Sequence, residues 1–316
     1  MYDEVRKSLA AAPGANIIHP CTLPSHPEPM ADYWKYHGLG NDYLVIPAER
    51  FVTPPEGEAI RKICDRHRGI GADGVLIGPL PRPDGIPGLR IINPDGKEGE
   101  KSGNGLRIFA RYLWEQKRVT EKTFPIHTAG GQVTAQVMDE DGALIRMEMG
   151  QVSFSSERIP VKGPSREVLR ETIEMEGKSL TINCATIGNP HCVVLADKPT
   201  EELARRLGPS LEIHPWFPNR SNVQFMAVES PHTIRIEIWE RGAGYTLSSG
   251  TSSCASAAVA VRLGLCQSPV TVKTAGGNLL VTLDNAFQAR LEGPVAFVGN
   301  GAFSPEFLEE LGLTRQ

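Results

Sequence analysis

Two short segments of the chain combine residue types that could bind an anion: Ser102-Gly-Asn104 and Ser249-Gly-Thr251. Each stands directly before a stretch that predicts a helix. The first turn of a helix offers unpaired backbone N–H groups and the positive end of the helix dipole, and glycine lets a ligand approach the backbone closely. Either serine alone is more simply an ordinary helix N-cap. As a pair facing one cleft, the two helix starts could hold a single carboxylate between them, and we predict this arrangement.

Other polar residues stand at positions where they could complete such a site. Nine residues before each serine, at the predicted end of a strand, are Asn93 and Glu240. A glutamate at a strand end is usually solvated, but Glu240 at this spacing could bind the amino group of a ligand. His191 lies in a turn between apolar runs and suits a structural role as well as it suits acid–base chemistry. The sequence has no HExxH, P-loop or dinucleotide fingerprint, so we expect no metal, nucleotide or other cofactor.

The elements that would position these residues occur twice in the chain. The landmarks Gly40-Asn41, Gly74-Val75, Ser102-Gly103 and Thr128–Gly131 recur as Gly188-Asn189, Asn222-Val223, Ser249-Gly250 and Thr274–Gly277, at offsets of 148, 148, 147 and 146 residues. Four landmarks in register predict a duplicated fold. We expect an α/β (α+β) protein with a first half at 34–150 and a second half at 151–316, the last strand being able to return to the first half.

The pattern of each half predicts a curved sheet wrapped around one buried helix. Strand-like alternation is clear at Leu89–Ile92 and Ile234–Trp239, each of which leads into a glycine-rich turn. The first helix has apolar residues near helical spacing. The second, Ser252–Leu263, is almost entirely small residues. Such a helix cannot form a wide apolar stripe, so we expect strands to surround it closely.

Composition limits the partners and the compartment. The chain has 316 residues, a net charge of −4 and 40% hydrophobic residues, and its pI is near 6.1. These values give no electrostatic reason to expect nucleic acid or an anionic membrane as a partner. The six scattered cysteines and the lack of a signal-peptide pattern favour the cytoplasm. Residues 1–33, which carry five prolines and no sustained period, predict a peripheral or disordered arm.

Taken together, several motifs in fixed order resemble the diaminopimelate epimerase family. They are His37–Asp42, Asp65–Asp73, Asn93–Gly96, Ser102–Gly105, Gly188–His191, Arg220–Asn222 and Glu240–Gly242 through Ser249–Thr251. The resemblance covers residues 34 to about 280. It implies two barrel-like halves, each around a central helix, with the substrate in the cleft between them. It also implies interconversion of LL- and meso-diaminopimelate without pyridoxal phosphate, in lysine and cell-wall precursor biosynthesis.

The resemblance implies a role for each matching position. The distal amino and carboxylate groups of the substrate would be held by Asn41, Asn93, Asn189, Asn222 and Arg241. The reacting α-carboxylate would be bound at the helix starts by Gly103, Asn104, Gly250 and Thr251. Glu240 and His191 would line the reacting centre. A homodimer is an expectation at the level of the family.

The chain departs from the family at the two positions that move the proton. The family places a cysteine at each helix start, one thiolate removing the α-proton while the opposite thiol supplies one to the other face. Here these catalytic positions are Ser102 and Ser249. A serine hydroxyl is a weaker acid than a thiol by roughly five pKa units, so it needs a neighbouring base, and Glu240 and His191 are the candidates. Cys254, one turn into the second helix, is not expected to substitute.

Three interpretations stay open on the sequence. The chain is a serine variant of the epimerase, or an isomerase or racemase of another amino acid, or a non-catalytic amino-acid-binding protein or engineered double Cys→Ser form. The serine-rich surroundings, Ser248-Ser249 and Thr251–Ser253, favour drift of a lineage over two isolated replacements. The asparagines and Arg241 favour a substrate that is polar at both ends, since unpaired polar groups in a closed site are costly. Diaminopimelate therefore ranks first.

Overall fold

A computed structural model describes residues 31–99 and 102–316 of the chain. Ala31–Gln316 form one compact unit. Strands dominate this unit and helices are few, which confirms the predicted α+β class. Residues 1–30, most of the segment predicted as an arm, lie outside the described residues.

The strands and helices of the described residues alternate along the chain. The strands are β1 (Tyr33–Gly38), β2 (Asn41–Ile46), β3 (Val75–Leu80), β4 (Gly88–Ile92), β5 (Glu98–Gly99), β6 (Thr123–Thr128), β7 (Gly131–Val137), β8 (Leu144–Gln151), β9 (Glu171–Met175), β10 (Lys178–Thr186), β11 (Pro190–Leu195), β12 (Asn222–Ser230), β13 (Thr233–Glu240), β14 (Gly244–Thr246), β15 (Val270–Thr274), β16 (Gly277–Leu283), β17 (Gln288–Pro294) and β18 (Ala296–Gly301). The helices are α1 (Glu58–Cys64), α2 (Gly103–Glu115), α3 (Glu201–Glu212), α4 (Gly250–Arg262) and α5 (Pro305–Leu311), with a 3₁₀ turn at Ala48–Arg50. None of the helices in these residues is long and apolar enough to cross a membrane.

The strand pairing of the first half is repeated in the second. In the first half β1 and β2 are antiparallel, β2 and β3 parallel, β3 and β4 antiparallel, and β4 and β6 parallel. In the second half the same sequence of pairings runs through β10, β11, β12, β13 and β15. The two halves also share a matching hydrogen bond. Thr128 Oγ1 donates to the Gly131 carbonyl at 3.0 Å, and Thr274 Oγ1 donates to the Gly277 carbonyl at 2.9 Å.

The last strands of the chain bond to strands of the first half. β17 is antiparallel to β8, and β18 is antiparallel to β1. The polypeptide therefore crosses back after β16, and one continuous sheet runs through both halves. The division at residues 150 and 151 stays a prediction.

Two helices of equal length occupy the interior. α2 and α4 each have 13 residues. α2 packs against β1, β7 and β8, whereas α4 packs against β10, β12 and β16. Residues 250–260 of α4 are buried without a break, as expected for a helix that is enclosed on all sides. Its small side chains permit this close enclosure, in agreement with the sequence analysis.

The compact unit Ala31–Gln316 includes residues 31–33, which the sequence analysis assigns to the arm. The Asp32 side chain is fully buried and lies 2.6 Å from Arg50 Nε and 2.6 Å from Arg315 Nη2. It also accepts a hydrogen bond of 2.7 Å from the Phe303 N–H. This buried carboxylate joins the beginning of the compact unit to its C-terminal segment.

We expect Asp32→Asn to destabilise the protein by about 3 kcal/mol, because breaking a buried ion pair leaves uncompensated charge. Burial raises the pKa of Asp32, but hydrogen bonds from Arg315 and Arg50 outweigh it, so the net pKa is lowered. Stability from Asp32 is therefore present above the pKa of an unfolded aspartate and is lost as the pH falls through the lowered value. Urea unfolding from pH 7 to 3 measures both effects.

Asp84→Asn is the matched control, because Asp84 pairs with Arg82 at an exposed site. Its unfolding midpoint should stay close to that of the unmodified protein. Equal midpoints for the two variants would contradict a stabilising role for the Asp32 ion pairs.

Candidate active site

The N-terminal ends of α2 and α4 meet in the middle of the molecule. Their first residues, Gly103 and Gly250, are so close that a Cβ atom built on Gly103 would lie 3.1 Å from the Gly250 Cα. A Cβ on Gly250 would likewise lie 3.1 Å from the Gly103 Cα, so a larger residue at either position would crowd the other helix end. The predicted convergence of the two serine–glycine segments is thus what the structure shows.

The two serines cap these helices in the same way but have different neighbours. Ser102 Oγ accepts a hydrogen bond from the Gly105 N–H at 3.0 Å, and Ser249 Oγ accepts one from the Ser252 N–H at 3.5 Å. Beyond the cap, Ser102 Oγ lies 3.1 Å from the Tyr43 hydroxyl oxygen. The neighbour of Ser249 is instead a carboxylate.

That carboxylate belongs to Glu240, the last residue of β13. Burial raises the pKa of Glu240, a hydrogen bond with the Ser249 hydroxyl opposes the rise, and the nearby charge of Asp73 adds to it. A carboxyl group whose pKa is raised by burial, and which contacts a hydroxyl, has the arrangement expected of a general base.

The first two backbone N–H groups of each helix have no acceptor within their own helix. These N–H groups belong to Gly103, Asn104, Gly250 and Thr251, and the residues are all buried. Two helix dipoles present their positive ends to the same region. An anionic group such as a carboxylate would be stabilised there.

The Asn104 side chain is fully used within the protein. Its Nδ2 donates to Asn41 Oδ1 at 3.0 Å and to the Ser248 carbonyl at 3.2 Å, while its Oδ1 accepts from Arg107 at 2.8 Å. Asn41 in turn donates to Asp73 Oδ2 at 3.0 Å. Asn104 therefore offers a ligand its backbone N–H, while its amide joins the start of α2 to the β1–β2 turn.

Arg107 places a fully buried positive charge one turn into α2. Its Nη1 donates to the Gly103 carbonyl at 3.3 Å, and its Nε has no hydrogen-bond partner among the described residues. Burial lowers the pKa of Arg107 to about 10 and the influence of Cys254 opposes this, so the guanidinium stays protonated at neutral pH. This charge adds to the positive potential at the helix start.

His191 holds Asn189 in place. The ring is fully buried, with Nε2 3.0 Å from Asn189 Oδ1 and Nδ1 3.2 Å from Gln224 Nε2. The Gln224 amide donates to Nδ1, so Nε2 carries the proton and donates to Asn189. Burial, with a smaller contribution from Arg241, lowers the pKa of His191 to about 3. A neutral ring with both nitrogens occupied favours a positioning role over that of the proton-transferring base.

The Asn189 amide connects this arrangement to α4. Its Nδ2 donates to Thr251 Oγ1 at 3.3 Å. Thr251 is the second residue of α4 and is buried. The β10–β11 turn is thereby attached to the start of the helix, in the way that the β1–β2 turn is attached to α2 through Asn41 and Asn104.

Arg241 follows Glu240 and has an exposed side chain. Its backbone N–H donates to Asn222 Oδ1 at 2.9 Å, and its Nη1 donates to the Asn219 carbonyl at 2.9 Å. Asn222 is buried and donates from its Nδ2 to the Pro190 carbonyl at 2.9 Å. The guanidinium thus lies at the surface, on a turn that Asn222 connects to β11.

Asn93 is a predicted site residue whose side chain forms no hydrogen bond with the other predicted site residues among the described ranges. Its side chain is exposed, just after the end of β4. Among residues 31–99 and 102–316 its hydrogen bonds run through its backbone, to Lys97 and Gly96. Its contact with a substrate stays a prediction.

Three residues around the site were not anticipated from the sequence: Tyr43, Arg107 and Glu212. Glu212, at the end of α3, is buried and accepts hydrogen bonds from Trp239 Nε1 at 2.7 Å and the Gly242 N–H at 2.9 Å. It therefore fixes the turn that carries Arg241. Tyr43 directly follows the His37–Asp42 motif and Arg107 stands two residues after the Ser102–Gly105 motif, so position near a motif was the available signal for these two.

The chain is similar to known proteins over most of its length. The sequence model of the family described as "Diaminopimelate epimerase" matches residues 33–155 and 183–298. A "Diaminopimelate epimerase 2" from Nostoc sp. is 52% identical over 87% of this chain and 96% of its own length. A diaminopimelate epimerase from Desulfitobacterium hafniense is 37% identical over 87% of this chain and 98% of its own.

Solved structures show the same fold at low sequence identity. A probable proline racemase from Agrobacterium radiobacter with bound carbonate has a TM-score of 0.64 at 17% identity, covering 86% of this chain and 92% of its own. A hydroxyproline epimerase from Agrobacterium vitis with bound trans-4-hydroxy-L-proline has a TM-score of 0.64 at 18% identity, over 87% and 92%. With a family model that matches most of the sequence and relatives that cover 87% of it, the chain belongs to the diaminopimelate epimerase family, whose members are amino-acid epimerases.

Proposed function

We propose that this protein interconverts LL- and meso-diaminopimelate, using serine where the resemblance implies cysteine. The observation that carries the proposal is the meeting of two serine-capped helix ends, with the Glu240 carboxylate beside one of the serines. Relatives named diaminopimelate epimerase support the substrate. We assign this reaction to lysine biosynthesis and the enzyme to the cytoplasm.

The converging helix ends would bind the α-carboxylate. The N–H groups of Gly103, Asn104, Gly250 and Thr251 would donate to it, and the charge of Arg107 would stabilise it further. When the α-proton leaves, negative charge spreads from the α-carbon into this carboxylate. Donors that are already in place stabilise the developing charge without reorganisation.

Proton removal would begin at Ser249. The α-proton moves to Ser249 Oγ while the hydroxyl proton of Ser249 moves to the Glu240 carboxylate, so the C–H electron pair stays on the substrate. Proton return to the opposite face would come from Ser102. His191 would act only by holding Asn189, since its ring nitrogens are both occupied.

The other end of the substrate would contact the exposed Arg241 and the asparagines near it. Asn189 and Asn222 belong to the network that fixes the turns around the cleft, and we keep Asn41 and Asn93 as further contacts of the distal amino and carboxylate groups. Lysine lacks the distal carboxylate, so it leaves Arg241 without an anionic partner.

Incubation of the purified protein with LL-diaminopimelate in deuterated water tests the proposal. Mass spectrometry should show one deuterium at the α-carbon, and chiral chromatography should show the meso isomer. L-Lysine at the same concentration is the matched control and should show neither deuterium incorporation nor a change of configuration. Binding of LL-diaminopimelate without exchange would replace the proposal by a binding function. Exchange with a different amino acid only would change the substrate.

A further inference from the structure

The two serines of the site differ in the direction of their hydrogen bonds. Ser102 Oγ has the Gly105 N–H and the Tyr43 hydroxyl as neighbours, at 3.0 and 3.1 Å. Tyr43 is buried, and the described part of the chain gives its hydroxyl no other hydrogen-bond partner. A buried hydroxyl that donates is satisfied, whereas one that only accepts leaves its proton unpaired. Tyr43 is therefore the donor.

With Tyr43 donating, both acceptor positions of Ser102 Oγ are filled. A serine hydroxyl has one proton to donate and two lone pairs to accept with. One lone pair receives the Gly105 N–H and the other receives the Tyr43 O–H, so the proton of Ser102 is left to point elsewhere. Ser102 is thus arranged to give a proton.

Ser249 has the opposite arrangement. Its neighbour Glu240 is a carboxylate, which accepts hydrogen bonds when ionised, so the Ser249 hydroxyl donates to it. One lone pair of Ser249 Oγ receives the Ser252 N–H. The second lone pair is left for a ligand, and Ser249 is arranged to take a proton.

From this contrast we infer that Tyr43 is a positioning residue that makes Ser102 the proton donor of the pair when LL-diaminopimelate is converted to the meso isomer, while Glu240 makes Ser249 the acceptor. The two roles are exchanged in the reverse reaction. The inference rests on the proposed function and adds a direction to it. When Ser102 gives its proton to the α-carbon, a C–H bond forms and the O–H bond breaks. The alkoxide left on Ser102 keeps the hydrogen bonds from Tyr43 and Gly105 until water returns a proton to it and the protonated Glu240 carboxyl releases its proton to water, which restores both groups.

The surroundings of Tyr43 keep it a donor. Burial raises the pKa of its hydroxyl, and the charges of Glu240 and Asp73 raise it further, against the effect of Ser102. The phenol therefore stays protonated through the reaction. Its task is to stabilise negative charge on Ser102, not to transfer its own proton to the substrate.

The pKa of a cysteine thiol placed at either serine position measures this difference between the two sites, and the measurement needs no turnover of substrate. Ser102→Cys and Ser249→Cys are made separately, and the pH dependence of alkylation by iodoacetamide is followed at each peptide by mass spectrometry. A hydrogen-bond donor stabilises a thiolate and lowers its pKa, whereas a neighbouring carboxylate raises it. We expect the thiol of Ser102→Cys to have a pKa at least about one unit below that of Ser249→Cys.

Two further substitutions assign the difference to its cause. Adding Tyr43→Phe to Ser102→Cys should raise that thiol pKa by about one unit, because only the donor is removed. Adding Glu240→Gln to Ser249→Cys should lower the other. A purely structural role for Tyr43 would leave the thiol pKa unchanged, and thermal unfolding verifies that Tyr43→Phe folds. Equal thiol pKa values, or no response to Tyr43→Phe, would overturn the inference whether or not the protein turns over diaminopimelate.

Discussion

Replacing both Ser102 and Ser249 by cysteine should raise the rate of α-proton exchange by roughly two to three orders of magnitude. A thiol is the stronger acid by roughly five pKa units, so at neutral pH a far larger fraction of it is ionised. The thiolate is also a weaker base than the alkoxide. With a Brønsted coefficient of about 0.5, this weaker basicity cancels about half of the roughly five orders of magnitude gained by ionisation. The remaining difference is the expected increase.

The measurement is deuterium incorporation into LL-diaminopimelate by the unmodified protein, the double variant and both single variants. Each single variant should gain less, since proton removal and proton return both contribute to the rate. Ser256→Cys is the matched control because Ser256 is buried deeper in α4, two turns after the helix start. A double variant that binds the substrate but exchanges no faster would show that serine at these positions does not limit the reaction.

Glu240→Gln should lower the exchange rate of the unmodified protein by about 10²- to 10⁴-fold, the usual contribution of a general base. The amide keeps the size of the side chain but cannot take the Ser249 proton. The fold should be unaffected, since Glu240 is the last residue of β13 and the substitution leaves the strand pairing unchanged.

The pH dependence of the exchange rate tests the same role of Glu240, and its direction can be predicted. Activity needs the ionised carboxylate, so the rate falls as the pH falls through the pKa of Glu240. Burial raises this pKa, and the acidic limb should therefore lie above that of an ordinary glutamate. Glu237→Gln, on the same strand, is the control, because Glu237 accepts a hydrogen bond from Tyr245 away from the serines. If Glu240→Gln retains both the rate and the acidic limb, another group is the base.

The helices and strands that form the site could be predicted from the sequence because the patterns that indicate them lie within short segments. The predicted helix starts at Ser102 and Ser249 are the N-caps that the structure shows. The strand read at Ile234–Trp239 lies within β13. In both cases the pattern extends over neighbouring residues, which share one element whatever the rest of the chain does.

Contacts between residues that are far apart in the sequence could not be predicted in this way. Tyr43 and Ser102 are 59 residues apart, and Trp239 and Glu212 are 27 apart. Nothing in the composition of either segment marks the contact, since a buried tyrosine and a glutamate at a helix end are common. The same holds for His191, whose neutral state follows from burial and from the nearby charge of Arg241, a residue from a distant part of the chain.

The sequence by itself determined that the chain is a repeat with a serine–glycine helix start in each half, because register and residue type are properties of the linear chain. It also contained the family motifs, and hence the class of reaction. The tertiary structure alone decided that the two serines are unequal, with Tyr43 beside Ser102 and Glu240 beside Ser249. The reason is physical: the acidity and hydrogen-bond direction of a hydroxyl depend on burial and on the groups within about 3 Å, and folding brings those groups from distant parts of the chain.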